Sequence, residues 1–179
     1  MDNSSDQTIE QNDEVIRVAE AIISNSLGKS IQIKSIKRLT GQGGHSLIYR
    51  CCTATEDTFI IKMAADSLHP VEKPRTEAGK RFLNDWVGAE FLSSLNQSKS
   101  LCPHFYGGDR EQGFFVLEDL GMHLNLVSPL LNGNSVIAES GLLKYYTCLG
   151  SLHAMTTGKA REFEAMYSSR FPGQEPFAE

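Results

Sequence analysis

The stretch from Leu39 to Lys62, L-T-G-Q-G-G-H-S-L-I-Y-R-C-C-T-A-T-E-D-T-F-I-I-K, constrains this chain more than any other. Gly41, Gly43, Gly44 and Ser46 lie between two runs that read as strands, Ile31 to Leu39 and Leu47 to Ala54. A third apolar run, Thr58 to Met63, carries Lys62 among hydrophobic residues. The order is strand, glycine-rich loop, strand, short turn, strand with an embedded lysine. Glycines tolerate positive φ, and they let backbone N–H groups approach an anion such as a phosphate with no Cβ in the way. The same residues also fit an ordinary Gly-rich hairpin turn with Lys62 snorkelling to water. The loop alone does not choose between the two.

On either side of it the pattern becomes helical. Val15, Ile16, Ala19, Ile22 and Ile23 recur at helical spacing and predict a helix from Asp13 to about Leu27, with Asp13 as N-cap and Gly28 just past the end. Residues 1–12 are polar, lack periodicity and are expected to be disordered. His69 to Pro74 reads as an irregular connection fixed by two prolines. A long helix is expected from about Thr76 to Gln97, with Leu83, Val87, Phe91, Ser94 and Leu95 on one face. Gly79 and Gly88 weaken it and leave room for a break near Asn84. Glu90 falls on that face or at its edge. Either it is paired, with Lys62 the obvious partner because an unpaired buried charge is costly, or it lies just outside the stripe and is solvated. The local pattern leaves both readings open.

Leu101 to Asp109 and Gly113 to Leu120 predict a hairpin that turns at about Asp109 to Gln112. Five strands and one inserted helix make a complete small lobe. After Gly121 the composition shifts. Met122 to Asn134 reads as loop or short helix, and Ser135 to Thr157 as a helix closed by Gly158. Ile137, Gly141, Tyr145, Cys148, Leu152 and Met155 form its stripe. The tail begins helical and breaks at Pro172-Gly173.

Composition narrows the function classes. Of 179 residues, 40% are hydrophobic and 22% charged, as in a soluble globular protein. A net charge of −5 without any Lys/Arg-rich stretch argues against a nucleic-acid partner. Cys51, Cys52, Cys102 and Cys148 show no C-x-x-C spacing and read as buried thiols of a reducing compartment. With no apolar run of signal-peptide or membrane-spanning character, a cytoplasmic location without a membrane partner is expected.

Six stretches, in this order, carry a family resemblance: L-T-G-Q-G-G-H-S-L-I-Y-R, F-I-I-K, A-E-F-L-S-S-L, C-P-H-F-Y-G-G-D, F-F-V-L-E-D-L-G and L-G-S-L-H-A-M-T-T-G. Over roughly residues 31–160 the chain resembles the amino-terminal part of the aminoglycoside phosphotransferase-like, choline-kinase-like small-molecule kinases of the protein-kinase-like superfamily. The resemblance implies an α+β fold. Residues 13–120 would form a protein-kinase-like N-lobe, a five-stranded antiparallel sheet plus helix C. Residues 121–179 would form the hinge and the incomplete start of a helical C-lobe. It implies ATP as cofactor, with Mg²⁺ implied by the family, and a small-molecule hydroxyl as phosphoryl acceptor.

Residue by residue, it implies that Gly41, Gly43, Gly44 and Ser46 cover the phosphates and that Ile48 lies against the adenine ring. Lys62 would contact the α- and β-phosphates, aimed by an ion pair to Glu90. Leu117 to Leu120 would be the hinge, with backbone groups of Glu118 and Leu120 on the adenine edge. The side chains of Glu118 and Asp119 serve there or in contacts between lobes.

The family's catalytic loop is an H-x-D with an Asn about five residues later. None of the five histidines here has Asp two residues on, and no D-x-D or D-F-G follows the long helix. Asp119-Leu120-Gly121 resembles D-F-G but stands in the hinge. No catalytic or metal-binding residue is therefore assigned, and the chain is expected to be a truncated, inactive portion of a phosphotransferase. The alternatives are a non-catalytic nucleotide-binding or scaffold protein with a partial kinase-like fold, and a globular α+β interaction domain whose Gly-rich turn is only a turn. The apolar stripe of the Ser135–Thr157 helix is expected to be exposed and to favour self-association.

Overall fold

Alternation of side chains along five short strands sets the architecture. The computed structural model describes residues 13–39, 46–65, 77–95, 101–121, 126–131, 133 and 135–176. Gly41, Gly43 and Gly44, the expected disordered residues 1–12 and the His69–Pro74 connection lie outside the described residues. The strands are β1 (Ile33–Arg38), β2 (Ser46–Thr53), β3 (Thr58–Ala64), β4 (Phe105–Asp109) and β5 (Phe114–Glu118). They pair antiparallel throughout, in the order β1-β2-β3-β5-β4.

Successive residues of a strand face opposite sides, and here both sides are apolar, so each needs a cover. Helix α1 (Asp13–Leu27) covers one face: Val15, Ala19 and Ile23 pack into a core with Tyr49, Cys51, Phe59, Ile61, Met63, Phe114 and Val116. Gly28, at φ +64°, turns the chain out of that helix as expected. Helix α2 (Glu77–Leu95) covers the other face, with Phe82, Leu83, Trp86 and Val87 packed around Phe115. The fold is α+β, a five-stranded antiparallel sheet between helices.

The break near Asn84 that the two glycines leave room for does not occur; α2 runs unbroken. An interior glycine costs about 1 kcal/mol relative to Ala. Burying each large apolar side chain returns roughly 1.5–3 kcal/mol, and Phe82, Leu83, Trp86, Val87 and Phe91 are all buried. Packing outweighs propensity. The buried face is also broader than expected, since Phe82 and Trp86 join it while Ser94 stays exposed.

Both helices come close to β4 because that strand contains Gly107-Gly108. A Cβ on Gly107 would sit 2.9 Å from Ile22 Cγ2 of α1. One on Gly108 would collide with the Trp86 ring of α2 and sit 2.8 Å from the Phe114 carbonyl oxygen.

Beyond the sheet come α3 (Val127–Leu131), α4 (Ser135–Thr156) and α5 (Ala160–Arg170). Gly158, at φ +77°, turns the chain between α4 and α5. Helix α5 returns onto α2, where Tyr167 and Phe171 complete the second core. Phe171 meets Trp86 edge-on at 5.6 Å between ring centroids, and the Arg110 guanidinium lies 5.2 Å from the Phe171 ring centroid. In α4 only Ala138 is buried, whereas Val136, Ile137, Leu143, Tyr145 and Tyr146 are more than half exposed. No helix among the described residues is long and apolar enough to cross a membrane.

Candidate functional site

The antiparallel register gathers most of the residues singled out in the sequence. Ile48 stands opposite Lys62, and Lys62 opposite Phe115. Directly opposed residues share a sheet face, so Ile48, Lys62 and Phe115 form one cross-strand row on the α2 side. Ser46 opposes Ala64 in the next row. Arg50, Ile60 and Leu117 form the row on the other side of Lys62. Ser46, Ile48, Lys62 and Leu117, four of the expected site residues, therefore share one surface, and Ile48 is open to solvent.

Lys62 does not pair with Glu90. Its Nζ lies 2.6 Å from Asp85 Oδ2, and the expected Lys62–Glu90 ion pair is replaced by this one. Helix geometry gives the reason. Phe82 and Trp86 both pack against Phe115, the cross-strand neighbour of Lys62, and Asp85 lies between them in sequence. Glu90, five residues on, is displaced by about 7.5 Å along the helix axis and about 140° around it. It faces α5 instead and pairs with Arg170, accepting from Nε at 2.9 and 3.0 Å and also from Nη2. The hydrogen bonds to Glu90 strengthen the hold of Arg170 on its proton and push its pKa up. The Glu90 side chain is only 14% exposed, so the paired reading of Glu90 holds, with a different partner.

Asp85 was missed because its position reads as the polar flank of an amphipathic helix. The signal was the Phe82/Trp86 pair around it, which the structure shows to be part of the core. The Lys62 side chain is 23% exposed and that of Asp85 48%. A pair so open to water adds little to stability, about 0–1 kcal/mol. Its effect is on direction: a flexible four-carbon stem is held against one wall of the surface.

Beyond Leu117 the chain is fixed by backbone and side-chain hydrogen bonds. The Glu118 N–H donates to the His104 carbonyl at 2.9 Å, and Glu118 Oε2 accepts from the His104 N–H at 3.0 Å. Leu120 is half exposed. Asp119 Oδ2 lies 2.6 Å from Arg50 Nε, and Oδ1 accepts from the Gly121 N–H at 2.8 Å. Burial alone would push the Asp119 carboxyl up. Hydrogen bonds from Gly121, Arg50 and Thr58, with the charge of Arg50, prevail and hold it below the ordinary carboxylate range. Asp119 is thereby committed to β2, inside the sheet unit.

No family model matches the chain, and no curated protein does. Among solved structures, a protein from Thermobifida fusca YX-ER1 carrying the provisional name fructosamine-3-kinase is similar at a TM-score of 0.35 and 16% identity. The match covers 59% of this chain and 32% of that one, so this chain spans about a third of that protein's length. A likeness of that size decides nothing about chemistry, which rests on the side chains above.

Proposed function

We propose that this chain is the nucleotide-covering, amino-terminal portion of an ATP-dependent phosphotransferase acting on a small-molecule hydroxyl. The observation that carries the reading is the row Ile48–Lys62–Phe115 with Lys62 aimed by Asp85. An apolar strand residue beside an anchored cation is the pairing that an adenine and its phosphates require. In this reading Ile48 lies against the base and the ammonium of Lys62 meets the α- and β-phosphates. The glycine-rich loop entering β2 at Ser46 supplies backbone N–H groups. At the hinge, the N–H of Glu118 already donates to His104, so its carbonyl is the group that serves the adenine edge, together with the backbone of Leu120.

ATP fits these residues. Among the described residues no group of three or more His, Cys, Asp or Glu side chains converges to hold a metal ion such as Mg²⁺. In this reading no residue is assigned to take the hydroxyl proton or to hold the metal.

Thermal unfolding with and without ATP tests the reading. ATP should raise the melting temperature of the chain and fail to do so in Lys62→Ala. An ATP response that survives Lys62→Ala unchanged would sink it.

A further inference from the structure

We propose that Cys102 and Cys148 are a reversible dithiol–disulfide pair, a modification site that ties α4 to the segment entering β4. The Cys148 thiol donates to the Leu101 carbonyl oxygen at 3.8 Å. That oxygen lies in the same rigid peptide plane as the Cα of Cys102, so the sulfur of Cys148 already rests on the backbone of its partner. Both residues are half-buried. Burial, then Cys148, then Glu118 push the Cys102 thiol up.

The other cysteines are excluded by their places in the fold. Cys51 is buried in the α1 core, where burial pushes its thiol up to about 12. Cys52 follows it on β2 and faces the opposite side, so those two cannot bridge. A disulfide needs Cα atoms about 4.4–6.8 Å apart. Ala138 is the only buried residue of α4, so few core contacts oppose the adjustment that closing the bond requires.

A low-molecular-weight disulfide is the oxidant. The Cys148 thiolate attacks one of its sulfurs, forming a mixed disulfide and expelling one thiolate. The Cys102 thiolate then attacks the Cys148 sulfur of that mixed disulfide and expels the second. Two protein thiols are oxidised, one small disulfide is reduced to two thiols, and both protein protons pass to solvent or to the leaving thiolates.

The test is incubation of the full chain with oxidised glutathione, followed by intact mass and non-reducing peptide mapping. We expect a monomer lighter by two hydrogen atoms, a single bridge between the peptides of Cys102 and Cys148, reversal by reductant, and a higher melting temperature in the bridged form. Cys51→Ser should bridge normally, whereas Cys148→Ser should not. Unbridged wild-type protein, a glutathione adduct that persists without resolving, or a bridge through Cys51 or Cys52 would each overturn the proposal.

Discussion

Arg50 on β2 and Asp119 just past β5 are joined across β3, with Nε of Arg50 2.6 Å from Oδ2 of Asp119 and Nη2 3.0 Å from Oδ1. The Asp119 side chain is only 3% exposed, so this pair closes one end of the sheet. The carboxyl titrates lower in the folded chain than in the unfolded one. Its contribution is therefore complete above the unfolded pKa and is lost as pH falls through the folded value. Asp119→Asn should cost about 2–3 kcal/mol near neutral pH. The gap from wild type should narrow on acidification, and urea titrations at several pH values read it directly. A gap that does not change with pH would contradict the assignment.

Gly108 is needed for its missing side chain. A Cβ there would press on the Trp86 ring and on the Phe114 carbonyl, which is backbone and cannot step aside. Gly108→Ala should destabilise by about 1–3 kcal/mol and shift the emission of Trp86, the single tryptophan. Gly88, where an added Cβ would meet nothing within 4 Å, is the control. Gly88→Ala should stabilise by about 0.5–1 kcal/mol, as expected for a helix interior.

Docking of α5 combines an apolar anchor with a charged one. Phe171 is fully buried against Trp86 and Tyr167, and Phe171→Ala should cost about 3–5 kcal/mol. Arg170 is half exposed but leaves the largely buried Glu90 carboxylate unpaired when removed, so Arg170→Ala should cost about 1–2 kcal/mol. The order of the two, measured by chemical denaturation, checks whether α5 is held by its aromatic residue or by its ion pair.

Most of the fold was legible because its elements carry strong local signals. The strand-like run Leu47 to Ala54 and the apolar run Thr58 to Met63 match β2 and β3 to within a residue or two, and Gly28 and Gly158 marked helix ends where φ is positive. The register was legible in part, since a strand order cannot be read from one chain but a short turn between β2 and β3 forces Ile48 close to Lys62. Asp85 was not legible. Choosing among carboxylates on one helix requires knowing its rotation against the sheet, and Phe82 and Trp86 set that rotation through a contact with Phe115, distant in sequence. The local pattern left Glu90 open between paired and solvated, and the resemblance paired it with Lys62; its partner sits on α5, 80 residues away, where no local pattern points.

The most direct measurement is the ATP dissociation constant of four proteins: wild type, Lys62→Ala, Asp85→Asn and Glu90→Gln. Losing a charged contact to phosphate costs about 1.5–3 kcal/mol, so Lys62→Ala should weaken binding by about 10- to 150-fold. Asp85→Asn should weaken it several-fold with little change in melting temperature, because the pair it removes is open to water. Glu90→Gln should bind as wild type does. Equal binding by wild type and Lys62→Ala, or a loss in Glu90→Gln as large as that in Asp85→Asn, would contradict a nucleotide site built on Lys62 and aimed by Asp85.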